Sequence, residues 1–222
     1  MPRISKLLKM VLLVWIAVVI VAAFLYAPPD KALGQAGRVI IFHVPVAWVT
    51  VLAFMVSCVH SVLYLRRRRP QDDLKASSAA SLGLVFAILA TVTGSMFARI
   101  TWGSFWNWDP RETSILILLL IYAAYHALRM AIEDEERRGR LSAVYAIVAA
   151  VTVPFLVFVV PRVYFSLHPD IITPTGGLDM GPRTLQVFLA SLAGFTGLFA
   201  WLFQLTVRTG AMSLAAERRS AS

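Results

Sequence analysis

Cys58 is the only cysteine among 222 residues, so the chain has no disulfide framework, no CxxC pair and no cysteine-built zinc site. The lone thiol lies inside an apolar run, where it behaves as a small hydrophobe. Charge is also scarce, with Asp, Glu, Lys and Arg making up 15% of the chain. Internal repeats and low-complexity segments are missing. What takes their place is apolar sequence: 59% of residues are hydrophobic and the mean hydropathy is +0.73. A soluble domain of this length has no room to hide so much, and runs of about 20 apolar residues mark bilayer spans. The fold class is therefore all-α, a polytopic membrane protein.

Six apolar runs are evident, at about 8–27, 39–65, 77–98, 113–130, 141–161 and 184–207, which makes residues 1–222 a single six-helix membrane domain. The first run follows Arg3, Lys6 and Lys9. It is too long for a signal peptide and lacks a small-x-small site before Pro28-Pro29, so it reads as a retained first helix.

The net charge of +9 does not point to nucleic acid, because the basic residues sit in short clusters between apolar runs. Fifteen of the 21 Lys and Arg residues fall at the N-terminus, in the loop around Arg66-Arg67-Arg68-Arg69 and Lys75, between Arg129 and Arg140, and in the tail. The other six are Lys31, Arg38, Arg99, Arg111, Arg162 and Arg183. By the positive-inside rule both termini are cytoplasmic. Loops 28–38, 99–112 and 162–183 then face the opposite side. The last of these, with Pro169, Pro174, Gly176-Gly177 and Pro182, is long enough to be a functional element.

Loop 99–112 holds the densest chemistry. Trp102, Phe105, Trp106 and Trp108 crowd into seven residues. Such rings suit a membrane–water interface, where Trp is enriched, and they equally suit a flat, apolar, partly charged ligand. Asp109, Pro110 and Glu112 read as N-cap, N1 and N3 of the fourth span, an Asp-x-x-Glu capping box. In that role they fix the aromatic segment in place.

Topology separates the four histidines. His43, two residues before Pro45, fits the first turn of the second span on the outer side. His168, in Ser166-Leu167-His168-Pro169, follows the outer end of the fifth span. His60 and His126 lie near the inner ends of the second and fourth spans, and at 1.5 Å per residue His60 is about 25 Å from His43. A single such histidine is most simply an interfacial hydrogen-bonding group. Two on one side, flanking an aromatic platform, match the axial ligands of a heme iron. A porphyrin is an apolar disc whose faces stack on Trp and whose propionates need cations. Arg99, Arg111, Arg162 and Arg183 are the outer cations near these elements, and each also suits a headgroup anchor.

Trp102-Gly103-Ser104-Phe105-Trp106-Asn107-Trp108-Asp109 resembles the tryptophan-rich WGxxWxWD signature of the heme-handling proteins of cytochrome c maturation, a superfamily that includes CcmC, CcmF and CcsA. Six spans, His-x-Pro at the second span's outer end and Leu-His-Pro after the fifth resemble the CcmC family in particular, over nearly the whole chain. The resemblance implies His43 and His168 as heme axial ligands. It implies Trp102, Gly103, Phe105, Trp106, Trp108 and Asp109 as the heme platform. It further implies a bacterial inner-membrane protein that carries heme b as a transported ligand, without catalysis, and presents it on the periplasmic face. The implied partners are a CcmE-type chaperone as acceptor, the CcmA/CcmB ABC transporter and the small protein CcmD. Phe105 stands where many CcmC sequences have Trp, and Asp109-Pro110-Arg111-Glu112-Thr113 is closer to the Asp-Pro-Lys-Glu-Thr of CcsA, which leaves a CcsA-like delivery role as the alternative.

Two other classes compete. A b-type electron-transfer cytochrome places ligand histidines inside spans at two depths, and there His60 and His126 would form a second, inner site. A small-solute permease favours ionisable residues at mid-membrane, and these spans hold almost none.

Overall fold

The computed structural model describes residues 5–168 and 180–220. The middle of the 162–183 loop, with Pro169, Pro174 and Gly176-Gly177, lies outside the described residues. Six helical segments are long and apolar enough to cross a membrane, and the described residues contain no strand. Helices α1 (Lys6–Leu25), α2 (Ile40–Arg67), α3 (Pro70–Trp102) and α4 (Pro110–Ala131) each supply one. The fifth is α5 (Glu135–Pro154), a π-helical turn (Phe155–Val159) and the short α6 (Val160–Val163), and the sixth is α7 (Pro182–Ser220). Lipid offers no partner to a backbone amide, so a helix that closes its own hydrogen bonds is the form such runs adopt.

The helices begin and end where local chemistry directs. α3 starts on Pro70 at its first position with Asp72 and Asp73 in the first turn, which favours a helix N-terminus electrostatically. It stops at Trp102 because Gly103 takes φ 81, a left-handed cap. A 3-10 turn, Gln35–Val39, leads straight into α2. His43 therefore falls in the first turn of α2, and Pro45 lies inside the helix just beyond it. The fifth span changes pitch after Pro154, whose ring and missing N–H disfavour the regular α ladder.

In lipid, helices gain little from hiding apolar surface and associate through close packing of small residues. Gly83 shows the tightness: a Cβ there would lie 2.4 Å from the Phe54 ring. Phe54 in turn stacks on Tyr122 with centroids 3.4 Å apart. A Cβ on Gly139 would lie 2.5 Å from the Tyr64 hydroxyl. These contacts join α2, α3, α4 and α5 into the main core, around Phe54, Leu118, Tyr122 and Val153. A second cluster joins α2 and α3 to Phe199 and Phe203 of α7. α1 is mostly exposed and rests on α7, where the Trp15 indole donates to the Ala190 carbonyl (2.8 Å) and the Tyr26 hydroxyl to Gln186 (2.8 Å).

One end of this bundle gathers the start of α2, the end of α3, the start of α4 and the segment after α6. The other end carries Arg66–Arg69, Arg129 and Arg137.

Candidate functional site

Residues 103–109 cross between α3 and α4 under several local constraints. The Arg99 guanidinium donates to the Gly103 carbonyl and lies 5.6 Å from the Phe105 ring. The Ser104 hydroxyl donates to the Trp106 carbonyl (2.9 Å). Trp108 adopts φ 56, a left-handed conformation that a bulky L-residue rarely accepts, and its side chain is 70% exposed. Strain of this kind collects where a side chain has to be aimed. Trp106 and Trp108 meet edge to face at 5.9 Å.

Asp109 closes the segment. It is the N-cap of α4 and forms a capping box with Glu112, whose Oε2 accepts from Asn107 N (2.7 Å) and Asp109 N (3.3 Å). The Asp109 carboxylate does more than cap. Beyond the Arg111 amide (2.9 Å) it accepts from the Ser166 hydroxyl (2.9 Å), the Leu167 amide (2.7 Å) and Nδ1 of His168 (2.9 Å). A carboxylate has lone pairs for about four such bonds, so this one is fully used. It is buried, which alone would raise its pKa, yet the amides of Arg111 and Leu167, with His168 and Ser166, bring it below the usual range. Asp109 thereby pins residues 166–168 onto the start of α4.

His168 is thus presented by two elements. Its ring packs edge-on against Trp102, the last residue of α3, with centroids 4.8 Å apart, and Trp102 is itself edge-on to Phe97 (5.6 Å). Burial pushes the His168 pKa down, against the Asp109 carboxylate, which favours the charged ring.

His43 approaches from α2. Its Nδ1 is 2.8 Å from the Thr93 hydroxyl of α3, and its ring lies over Gly94, where a Cβ would come within 3.0 Å of Cε1. His43 stands in the first turn of α2, His168 follows α6, and Arg111 stands in the first turn of α4, so all three belong to the same end of the bundle. Among the described residues, the hydrogen bonds to both rings are made through Nδ1, which leaves Nε2 of each as the nitrogen for a metal. Two imidazoles, an aromatic wall and one cation therefore share this end of the bundle.

Comparison with known proteins agrees with this architecture. The family model described as heme exporter protein C matches residues 1–222. This chain belongs to the heme exporter protein C family. A relative of that name in Bradyrhizobium diazoefficiens is 35% identical over 202 residues, covering 87% of this chain and 76% of the relative. One in Rhodobacter capsulatus is 33% identical, covering 86% and 79%. In Escherichia coli K12 the heme exporter protein C is 31% identical, covering 83% and 74%.

The other residues singled out from the sequence lie as follows. Arg162 donates to the Phe158 carbonyl on its own helix, and Arg183 sits over the Tyr26 ring where α7 meets α1. At the far end, His60 lies 3.7 Å from Asp72 and stacks toward Phe203 of α7 (6.1 Å). His126 is edge-on to Tyr125 (5.1 Å). The two thus have separate neighbours. Sequence reading missed Thr93, Gly94 and Ser166. Thr93-Gly94 looks like ordinary helix filling, and only the pairing of α2 with α3 brings it under His43. Ser166 had one available signal, its place two residues before a histidine in a loop.

Proposed function

We propose that this heme exporter protein C family member binds heme b as cargo and passes it on during maturation of c-type cytochromes. Iron is held between Nε2 of His43 and Nε2 of His168, and the macrocycle rests against Trp102, Phe105, Trp106 and Trp108 on the segment fixed by Gly103 and Asp109. The observation that carries this reading is the matched state of the two imidazoles. Each is bonded at Nδ1 to a neighbouring side chain, the arrangement that fixes a metal-ligating histidine. Of the four candidate propionate partners, Arg111 is the strongest, because it stands in the first turn of α4 next to Asp109, the carboxylate bonded to His168. Arg99 is next, because its guanidinium holds the Gly103 carbonyl beside Phe105, whereas the contacts of Arg162 and Arg183 lie on Phe158 and Tyr26.

The protein works as a carrier and not as an enzyme, since holding and releasing a cofactor breaks no covalent bond. Charge bias supports cytoplasmic termini and a site on the periplasmic face of a bacterial inner membrane. That placement supports hand-over to a CcmE-type chaperone, with CcmA/CcmB and CcmD as the accompanying machinery. Purified protein should carry heme with the optical spectrum of a low-spin, two-imidazole center. Unchanged heme content in a His43→Ala, His168→Ala double variant would sink the proposal.

A further inference from the structure

The two imidazoles have unequal partners, and the inequality has a chemical consequence. The Thr93 hydroxyl lies 2.8 Å from the Leu89 carbonyl one turn earlier in α3. A carbonyl can only accept, so the hydroxyl hydrogen is committed there and the oxygen faces His43 as an acceptor. His43 is accordingly the Nδ1–H tautomer, with a neutral oxygen behind it. His168 has the Asp109 carboxylate behind it, also as acceptor, at 2.9 Å. Hydrogen bonds to an ionised group are roughly twice as strong as neutral ones. A carboxylate on Nδ1–H also pushes electron density to Nε2 and raises ligand basicity.

We propose that Thr93 and Asp109 are positioning residues that make an asymmetric ligand pair: His168, backed by carboxylate, is the retained ligand, and His43, backed by hydroxyl, is the one that exchanges when heme leaves. This rests on the two-histidine reading above and adds an order of release to it. The neighbourhoods agree. His168 is tied through Ser166, Leu167 and Asp109 to the start of α4 and packed on Trp102. The described hydrogen bonding of the His43 side chain is the single Thr93 contact, and the ring otherwise lies on the bare Cα of Gly94.

The test uses the full chain, loaded with heme in detergent. First, His43→Gly and His168→Gly proteins are titrated with free imidazole. If neither variant changes the heme spectrum, the ligand assignment itself fails, separately from the order of release. Ligand exchange is then followed in otherwise intact protein by stopped-flow with imidazole as the incoming ligand. Thr93→Val, which keeps the shape and removes the acceptor, is expected to speed exchange about tenfold, at the lower edge of the usual range for losing such a partner. Thr93→Ser should restore the original rate. Asp109→Asn, which retains a good N-cap, should speed exchange clearly less than Thr93→Val does, because the bond it weakens is not the one that opens. It should instead weaken ferric over ferrous binding about tenfold, a rise of about 59 mV in a one-electron midpoint potential. Faster exchange in Asp109→Asn with none in Thr93→Val overturns the order, as do equal effects in both or none in either. Should Asp109→Asn not fold, the contrast of Val with Ser at position 93 decides alone.

Discussion

Both ends of the bundle place an aspartate among polar partners, and they use it differently. At the basic end Asp73 is closed off by Arg129, whose two terminal nitrogens meet its two oxygens at 2.7 and 2.8 Å. The nearby His60 and Asp72 stand 3.7 Å apart, beyond hydrogen-bond reach. At the aromatic end Asp109 meets no guanidinium in its described contacts. It gathers three backbone amides, a hydroxyl and an imidazole. A carboxylate saturated by arginine makes a strut. One bonded to Nδ1 of a histidine makes a strut that also aims a lone pair, and this difference separates a structural cluster from a candidate site.

Removing Asp109 should produce the largest effect. Asp109→Ala deletes an N-cap, worth about 1 kcal/mol. It also strands the part-buried Leu167 amide and His168 ring, each at about 1 kcal/mol, the low end for an unsatisfied group. A loss near 3 kcal/mol in denaturant unfolding is expected, together with loss of nearly all bound heme. Full heme content in this variant would show that the two ends are alike. Arg129→Met probes the other side. Breaking a buried pair costs about 3–5 kcal/mol, and partial exposure of this pair (15% and 17%) lowers the expectation to about 2 kcal/mol. The heme spectrum should not move.

The parts that sequence made legible are those set by short-range chemistry or by the bilayer. Six apolar helices follow from hydropathy, because lipid leaves a chain few alternatives. The capping box at Asp109 and Glu112 follows from residues three apart. The Asp109 to His168 bond joins positions 59 apart, and no local pattern announces it. The same holds for Thr93 beneath His43, 50 residues away. Trp102 looks like part of the loop because its neighbours are aromatic, yet it completes α3, and that rigid placement lets it brace His168. Charge bias in the sequence assigns Arg162 and Arg183 to the same side as the site, but side alone does not fix distance, and their contacts lie on Phe158 and Tyr26.

Acid sharpens the comparison by a smaller amount. Burial lowers the folded-state pKa of His168 below the ordinary imidazole value of 6.5. Between those two pKa values the unfolded chain binds the extra proton and the folded one does not, so stability rises with pH in that window. The apo protein should therefore keep its full stability above about pH 6.5 and lose it on acidification, with a ceiling of about 1.4 kcal/mol per pH unit for one group. Asp109, whose pKa is lowered, contributes above its unfolded value of 3.8 and loses that contribution only as the pH falls through its lower folded value. Thermal unfolding from about pH 7 to about pH 5 should thus show a modest fall that His168→Gln reduces. A fall of unchanged size in that variant would assign the effect to another group.

Trp108 offers the smallest change in stability and the cleanest separation of stability from function. Its φ of 56 costs an L-residue about 1–2 kcal/mol, and glycine carries no such penalty. Most of the ring is exposed, so little packing is lost with it beyond the edge contact to Trp106. Trp108→Gly should then match or slightly exceed the parent in Tm, by an amount on the order of 0.5 kcal/mol, once glycine's greater freedom in the unfolded chain is counted. If the strained backbone exists to hold an indole against the macrocycle, heme should be lost more readily from this more relaxed protein, several-fold faster to an apo-acceptor. Unaltered heme retention would make Trp108 an interfacial anchor and leave the heme face to Trp102 and Trp106.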